Sequence, residues 1–372
     1  MTQPARFAIV GTGWRASFYL HAATQLPDLF QCVRGFARSA QTAAQFGAAW
    51  KVPVHTSEAD FFEGLDVEFV LLAVPAAAVE PWVRKLGERG IPVLLETPAA
   101  RTFDGLVEMH DLAARTPDLR LQVAEQYRFQ PMHAARMAVA GSGVLGPITN
   151  AHVSVAHEYH AMSLTRGILG LGFTAVEVSA SSFTDRVVAT VDRDGWTNDH
   201  EVMPSPRVTA VLRFLESDQV ATYVFSNEQY FSPLRSRRLD VWGERGEIAG
   251  DQVRYLDDGG ELVRTQIVRD DAGQDGDLRG HSLNAIFAGT EIVYRNELFP
   301  ARLSDDELAI AQVLLRMAKY TRTGEAFYGL ADASEDQYLS LLIAEAAASG
   351  RAASSRERPW MNSVSVYDSR AH

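Results

Sequence analysis

Short runs of aliphatic and β-branched residues recur through the first 130 positions: FAIV at 7–10, VEFVLLAV at 67–74, PVLLE at 92–96 and LRLQVAE at 119–125. Helix-like stretches such as AAAVEPWVRKLGERG and FDGLVEMHDLAAR separate them. Strand and helix in repetition leave few options: the strands lie parallel and helices cover both faces of the sheet. The runs are continuous rather than alternating because both faces of such a sheet are buried. A parallel-sheet α/β domain is therefore predicted over residues 1–126.

The first run ends in Gly11-Thr12-Gly13-Trp14-Arg15-Ala16 and opens a helix-like segment, SFYLHAATQL. This strand-turn-helix setting is what a dinucleotide-binding fingerprint requires. Gly11 permits the tight turn, Gly13 lets backbone amides approach a pyrophosphate, and small Ala16 lets helix and strand pack closely. The phosphates would rest on the helix N-terminus, where unpaired N–H groups and the helix dipole favour negative charge. The acid expected about 20 residues later to hold a ribose is missing, and Arg38 with Ser39 stands near that point. An Arg beside a Ser can receive a 2′-phosphate, so the cofactor reads as NAD(P), with NADP favoured over NAD.

Composition excludes several partners. The 372 residues carry 47 acidic and 35 basic side chains, a formal charge of −12, with no block of Lys or Arg, which speaks against nucleic acid and anionic membrane. No run of about 18 apolar residues suits a membrane span, and the start, MTQPARFAIVGTG, has no leader pattern. Cys32 is the one cysteine, which excludes an internal disulfide and fits a cytoplasmic location. The length exceeds what one core usually serves, so a second domain over 127–372 is expected.

Several motifs in order resemble the glucose-fructose oxidoreductase, inositol dehydrogenase and rhizopine-catabolism (Gfo/Idh/MocA) family: FAIVGTGWRA, LLAVP before a helix, GIPVLLETPAA, VAEQYRFQP, HAMSLTRGILG and RSRRLDVWGERGEI. The resemblance implies a Rossmann domain followed by an α+β domain built on an open, mostly antiparallel sheet. The strand-like runs after residue 147 agree with it: ITNAHVSVAH, TAVEVSASSF, RVTAVLRFL, VATYVFSNE, LDVWGE, QVRYLDD and ELVRTQIV. Ser304 with Glu307 forms a capping box for a closing helix. One face of that sheet serves as substrate wall and oligomer interface in the family, implying a homodimer or homotetramer.

The family's chemistry is hydride transfer between a sugar or cyclitol hydroxyl carbon and nicotinamide, for which a side chain must take the hydroxyl proton. The resemblance implies three groups: the Lys of Glu-Lys-Pro, and an Asp and a His spaced Asp-x-x-x-His. Here those positions hold Thr97, Ala156 and His160. Thr97 can hydrogen-bond but holds no charge. An unperturbed histidine titrates near neutral pH, so His160 is the expected base. His157 and Tyr159 stand beside it as candidates; if a helix begins near here, His157, three residues away, lies on one face with His160. A metal site at His157-Glu158-Tyr159-His160 is not expected, since no further ligand lies at suitable spacing. No Gly-x-Ser-x-Gly elbow appears either.

Ligands of open α/β sheets bind at the carboxyl ends of the strands. That rule singles out Ala73, Val74 and Pro75, then Glu96, Thr97 and Pro98, then Glu125, Gln126, Tyr127 and Arg128. Glu96 is read as a partner of the nicotinamide ribose, Pro98 as fixing the turn beneath the ring, and Tyr127 and Arg128 as substrate contacts, Arg128 alternatively as a structural ion-pair partner. Arg235, in SPLRSRRLD, would suit an acidic sugar if it points inward and is otherwise part of a solvated strand face. Three readings follow: a dehydrogenase acting on a carbohydrate or cyclitol secondary alcohol, a redox-neutral NAD-dependent glycosidase of the kind the family includes, and a catalytically silent nucleotide-binding sensor.

Overall fold

The structure, a computed structural model, describes residues 3–192, 195–197, 200–273 and 281–367. Its first sheet holds β1 (Ala5–Val10), β2 (Phe30–Phe36), β3 (Val54–His55), β4 (Phe69–Leu72), β5 (Val93–Leu95) and β6 (Leu121–Val123). The order is β3-β2-β1-β4-β5-β6, every neighbour parallel. Between the strands run α1 (Trp14–Gln25), α2 (Ala40–Trp50), α3 (Glu58–Phe62), α4 (Ala76–Gly87) and α5 (Phe103–Arg115). All of β4 and β5 is buried, which is why their sequences show no alternation. Polar caps start the helices where the sequence offers them: Ser39, Ser57 and Thr102 each accept a backbone N–H from the first turn. The strand order reverses between β1 and β4, the switch point at which such sheets bind ligands.

The chain continues through a 3-10 turn at Tyr127–Phe129, α6 (Pro131–Gly141), β7 (Ile148–Ser154), α7 (Glu158–Leu169) and β8 (Val176–Val188). A small ribbon of β9 (Val191–Asp192) and β10 (Gly195–Trp196) precedes β11 (Val202–Phe214) and β12 (Gln219–Ser226). A second 3-10 turn, Asn227–Tyr230, leads to β13 (Arg238–Gly243), β14 (Gly246–Ala249), β15 (Gln252–Leu256), β16 (Leu262–Ala272), β17 (Ser282–Ala288) and β18 (Glu291–Arg295). Helices α8 (Asp305–Thr323) and α9 (Leu330–Ser349) and the short β19 (Ala353–Ser354) follow. The second sheet has the order β18-β17-β16-β15-β14-β13-β7-β12-β11-β8-β19. It is mostly antiparallel, with β7 and β12 a parallel pair.

By contacts the chain forms two units, residues 1–131 with 271–284 and 296–334, and residues 132–270 with 285–295 and 335–372. In the first, α8 packs against α1, and His21 Nδ1 lies 2.6 Å from Glu307 Oε1. The capping box at the start of α8 is present: the Ser304 N–H donates to Glu307 Oε2 at 2.8 Å.

In the second unit α7 lies under the sheet with every residue from His160 to Leu169 buried. Arg166 anchors it, donating to Asp336 Oδ1 at 3.0 Å, to the Gly172 carbonyl at 3.1 Å and to Ser365 Oγ at 3.2 Å. Both charged side chains are 1% exposed, so the geometry of the pair decides whether its burial is tolerated.

Candidate functional site

The turn after β1 has the form that the GxG pattern requires. Gly11 sits at φ +103°, and a Cβ there would lie 2.1 Å from the Ala73 carbonyl oxygen, so only glycine lets β1 and β4 end this close together. Gly13 caps α1 with open space where a side chain would be. The first turn of α1 carries no acidic residue, which leaves its N–H groups and dipole available to an anion. Thr12 is half-buried, Trp14 is exposed, and buried Ala16 faces the sheet.

Glu96 lies just past β5 and gathers four donors. Arg15 Nε reaches its Oε1 at 2.6 Å, and the Tyr19 hydroxyl donates to the same oxygen. The Thr97 N–H donates to Oε2 at 3.0 Å and the Thr97 hydroxyl, more loosely, at 3.4 Å. Thr97 therefore folds back on Glu96, where a lysine would have carried its charge away from the strand end. Burial, then the adjoining carboxylate, pushes the Tyr19 phenol well above its ordinary pKa and keeps it a donor. Arg15 Nη2 and Gln126 Oε1 are buried and bonded by no described group. A donor and an acceptor left unsatisfied at a ligand-binding sheet edge fit a polar ligand, because burying them without one costs free energy.

Around this pair, Ala73, Val74, Thr97 and Pro98 are half-buried, and Pro75 is exposed at the start of α4. Tyr127 is half-buried, and its N–H donates to Glu125 Oε1 at 2.8 Å. Arg128 lies over the Phe129 and Tyr328 rings, 5.5 Å and 5.8 Å from their centroids. Arg38 follows β2 and is exposed, while Ser39 is committed to capping α2, its oxygen accepting the Thr42 N–H at 3.2 Å.

The second unit holds the histidine cluster. The strand-to-helix corner from β7 into α7 puts Glu158 at φ +44°, a left-handed conformation unusual for a glutamate. Two tyrosine hydroxyls hold this corner: Tyr230 accepts the His157 N–H at 2.9 Å and Tyr223 accepts the Glu158 N–H at 3.1 Å. The Tyr230 hydroxyl also bonds His157 Nδ1. Burial, with the neighbouring His160 second, lowers His157 to about 4, so the ring is neutral at physiological pH and can accept the tyrosine proton at Nδ1. The His157 ring lies 5.1 Å from the His160 ring, and the His160 ring 4.4 Å from that of Tyr159. His160 is buried at 5% exposure, whereas His157 and Tyr159 are half-buried. His157 precedes α7 in extended conformation rather than sharing a helix face with His160, and it is the corner that brings the three predicted residues together, with His157 more open to solvent than His160.

Arg235 does not reach this cluster through any described bond. Its Nη2 lies 3.4 Å from Asp185 Oδ2 and 3.1 Å from the Arg186 carbonyl, and its buried Nε bonds no described group. Arg237 instead braces the turn that carries Tyr230, donating to the Gln229 and Tyr230 carbonyls. Sequence reasoning missed Tyr19, Tyr223 and Tyr230. Tyr19 had a legible signal, four residues after Arg15 on one face of α1. The other two reach the corner only through the sheet pairing and carry no local pattern. Among the described residues no group of His, Cys, Asp and Glu side chains has the makings of a metal site, and no helix is long and apolar enough to cross a membrane.

Comparison with known proteins matches residues 5–125 to the oxidoreductase family with an NAD-binding Rossmann fold, GFO_IDH_MocA. Over 169 residues the chain is 30% identical to inositol 2-dehydrogenase 4 of Saccharopolyspora erythraea, covering 37% of this chain and 48% of that protein. It is 29% identical over 132 residues to protein YMR315W of Saccharomyces cerevisiae, covering 34% of this chain and 38% of the other. The chain thus spans less than half the length of either relative. An oxidoreductase from Agrobacterium radiobacter, solved with NAD+, L-tartaric acid and magnesium, shares the fold with a TM-score of 0.66 at 18% identity, covering 94% of this chain and 98% of that one. Residues 5–125, with the strand order of the first sheet, are thus similar to the NAD-binding Rossmann domain of the Gfo/Idh/MocA oxidoreductases.

Proposed function

We propose that the protein is an NAD(P)-dependent dehydrogenase acting on a secondary alcohol of a carbohydrate or cyclitol. The observation that carries this reading is the carboxyl edge of the parallel sheet, where the Gly11–Gly13 turn, the Arg15–Glu96 pair and the unbonded Arg15 Nη2 and Gln126 Oε1 come together. A nicotinamide cofactor bound there supplies the hydride acceptor. Gly13 and the start of α1 take the pyrophosphate. Ala73, Val74 and Pro75 border the cofactor, Glu96 takes a ribose hydroxyl, and Pro98 shapes the turn. Arg38, exposed where NAD enzymes carry an acid, favours NADP.

His160 takes the alcohol proton, with Tyr159 and the Tyr230-bonded His157 beside it. Tyr127, Arg128 and Arg235 are substrate contacts in this reading. The absent lysine is offset at the sheet edge by Arg15, which keeps a cation there. A homodimer or homotetramer agrees with the outward sheet side chains Phe183, Val211 and Trp242, each more than a third exposed.

The test incubates the pure protein and cofactor with a panel of sugars, cyclitols and aryl glycosides while following reduced nicotinamide and aglycone release together. Stoichiometric reduced cofactor is the expected result. Aglycone release without net reduction would assign the redox-neutral glycosidase instead, and silence in both channels with cofactor bound would assign a sensor.

A further inference from the structure

We propose that Glu125 discriminates between the oxidised and reduced cofactor, its carboxyl losing a proton to solvent when the cationic nicotinamide binds and keeping it when the neutral ring binds. The inference rests on the dehydrogenase reading and adds a residue that this reading does not use.

Glu125 follows β6 and is 1% exposed. The parallel register pairs Leu95 with Val123, and the Ala124 N–H donates to the Leu95 carbonyl at 2.8 Å, so Glu96 and Glu125 leave adjacent strands at the same edge. Its neighbour Gln126 holds the unbonded buried oxygen, a second sign that this edge is built to meet a polar group. A carboxylate at the same edge disfavours the charged form of Glu125.

The charged groups that act on Glu125 include Glu96 at the end of β5, Arg15 on α1 and Arg128 in the turn after β6. Asp306, on α8, acts on Arg15 in turn. Burial first, then Glu96, pushes the Glu125 carboxyl up to about 8, against the Tyr127 N–H and the two arginines. It is therefore mostly protonated at neutral pH and within reach of a modest perturbation. The oxidised ring carries one positive charge and the reduced ring none, and in a water-poor site that difference is enough to move a nearby proton. Release of the proton stabilises the oxidised form alone, so the preference for it grows as pH rises.

The experiment measures dissociation constants of oxidised and reduced cofactor by fluorescence titration from about pH 6.5 to 9, in the parent chain and in Glu125→Gln. Calorimetry of the parent in two buffers of different ionisation enthalpy counts the protons. Any 2′-phosphate titration is common to both cofactor forms and cancels in their ratio. The ratio of reduced to oxidised dissociation constants should rise about fivefold or more across this range in the parent and stay flat in the variant. A fraction of a proton should be released with the oxidised form beyond that seen with the reduced form. Parallel pH profiles and equal proton counts for the two forms would overturn the inference while leaving the dehydrogenase reading intact. Failure of both forms to bind would overturn both. Should Glu125→Gln fail to fold, the calorimetry on the parent still decides.

Discussion

Arg15 Nε lies 2.6 Å from Glu96 Oε1, which ties the first turn of α1 to the end of β5 across the mouth of the parallel sheet. The side chains are 22% and 11% exposed, so the pair is largely shielded and charge-assisted. Glu96→Gln removes the charge but keeps the shape, and should cost about 1–3 kcal/mol of stability, read from chemical denaturation. Cofactor affinity should fall about tenfold or more in the same variant, by titration, if Glu96 takes a ribose hydroxyl as proposed. Unchanged affinity would remove Glu96 from the cofactor site.

In the proposed reading cofactor choice is set after β2, where Ala37 and exposed Arg38 stand near the expected position of the ribose-binding acid. Ala37→Asp combined with Arg38→Ala should move the ratio of NADP to NAD affinities toward NAD by about tenfold or more, since an added carboxylate repels the 2′-phosphate and the lost guanidinium no longer binds it. Titration with both cofactors checks it, and an unmoved ratio would assign the preference elsewhere.

His160→Ala should lower turnover about a hundredfold or more if His160 is the general base. Tyr230→Phe should have a smaller effect of about tenfold. It leaves His160 in place but takes away the hydroxyl that holds both the His157 N–H and its ring. A His160→Ala enzyme within a few-fold of the parent would move the base to His157, the more open of the two rings.

Acid should unfold the second unit through its histidines. His133 is lowered to about 3 by burial and by Arg136 and Arg237, and His157 to about 4 by burial and His160. A base whose folded pKa lies below its unfolded value contributes stability that is present above the unfolded pKa and is lost as pH falls toward the folded one. Stability should therefore decline from about pH 6.5 down to about pH 4, and His133→Asn should flatten part of that slope in denaturation curves. Glu125 has the opposite sign: its folded pKa is raised, so it costs stability as pH climbs from its ordinary range to about 8.

Much of this was legible in the chain and some was not, for physical reasons. The parallel sheet announced itself because burial on both faces writes continuous aliphatic runs, and the Gly11 turn because a close approach to Ala73 admits no Cβ. The capping box at Ser304 was readable because its chemistry is local. The placement of α8 beside α1, and of residues 296–334 with the first unit, depends on contacts nearly 300 positions apart and leaves no local pattern. Strands β17 and β18 also went unread: both are short and neither alternates cleanly, β17 being mostly buried and β18 mostly exposed at the sheet edge. Thr97 was recognised as a departure from lysine, but its turn back onto Glu96 and the Tyr19 and Arg15 donors around that carboxylate emerge only in three dimensions.

The buried Arg166–Asp336 pair fixes α7, and with it His160. Asp336→Ala should cost about 3–5 kcal/mol by removing a carboxylate that pairs with a buried guanidinium. A loss under about 1 kcal/mol in denaturation would show that the Gly172 and Ser365 bonds suffice to hold Arg166.

The most direct test of the central claim is a single-turnover experiment with the protein saturated by oxidised cofactor and mixed with the polyol panel, followed by the near-ultraviolet absorbance of reduced nicotinamide. The account predicts that at least one sugar or cyclitol produces up to one equivalent of reduced cofactor per site, and that His160→Ala slows its appearance without weakening cofactor binding. Bound cofactor that stays oxidised with every polyol would contradict it.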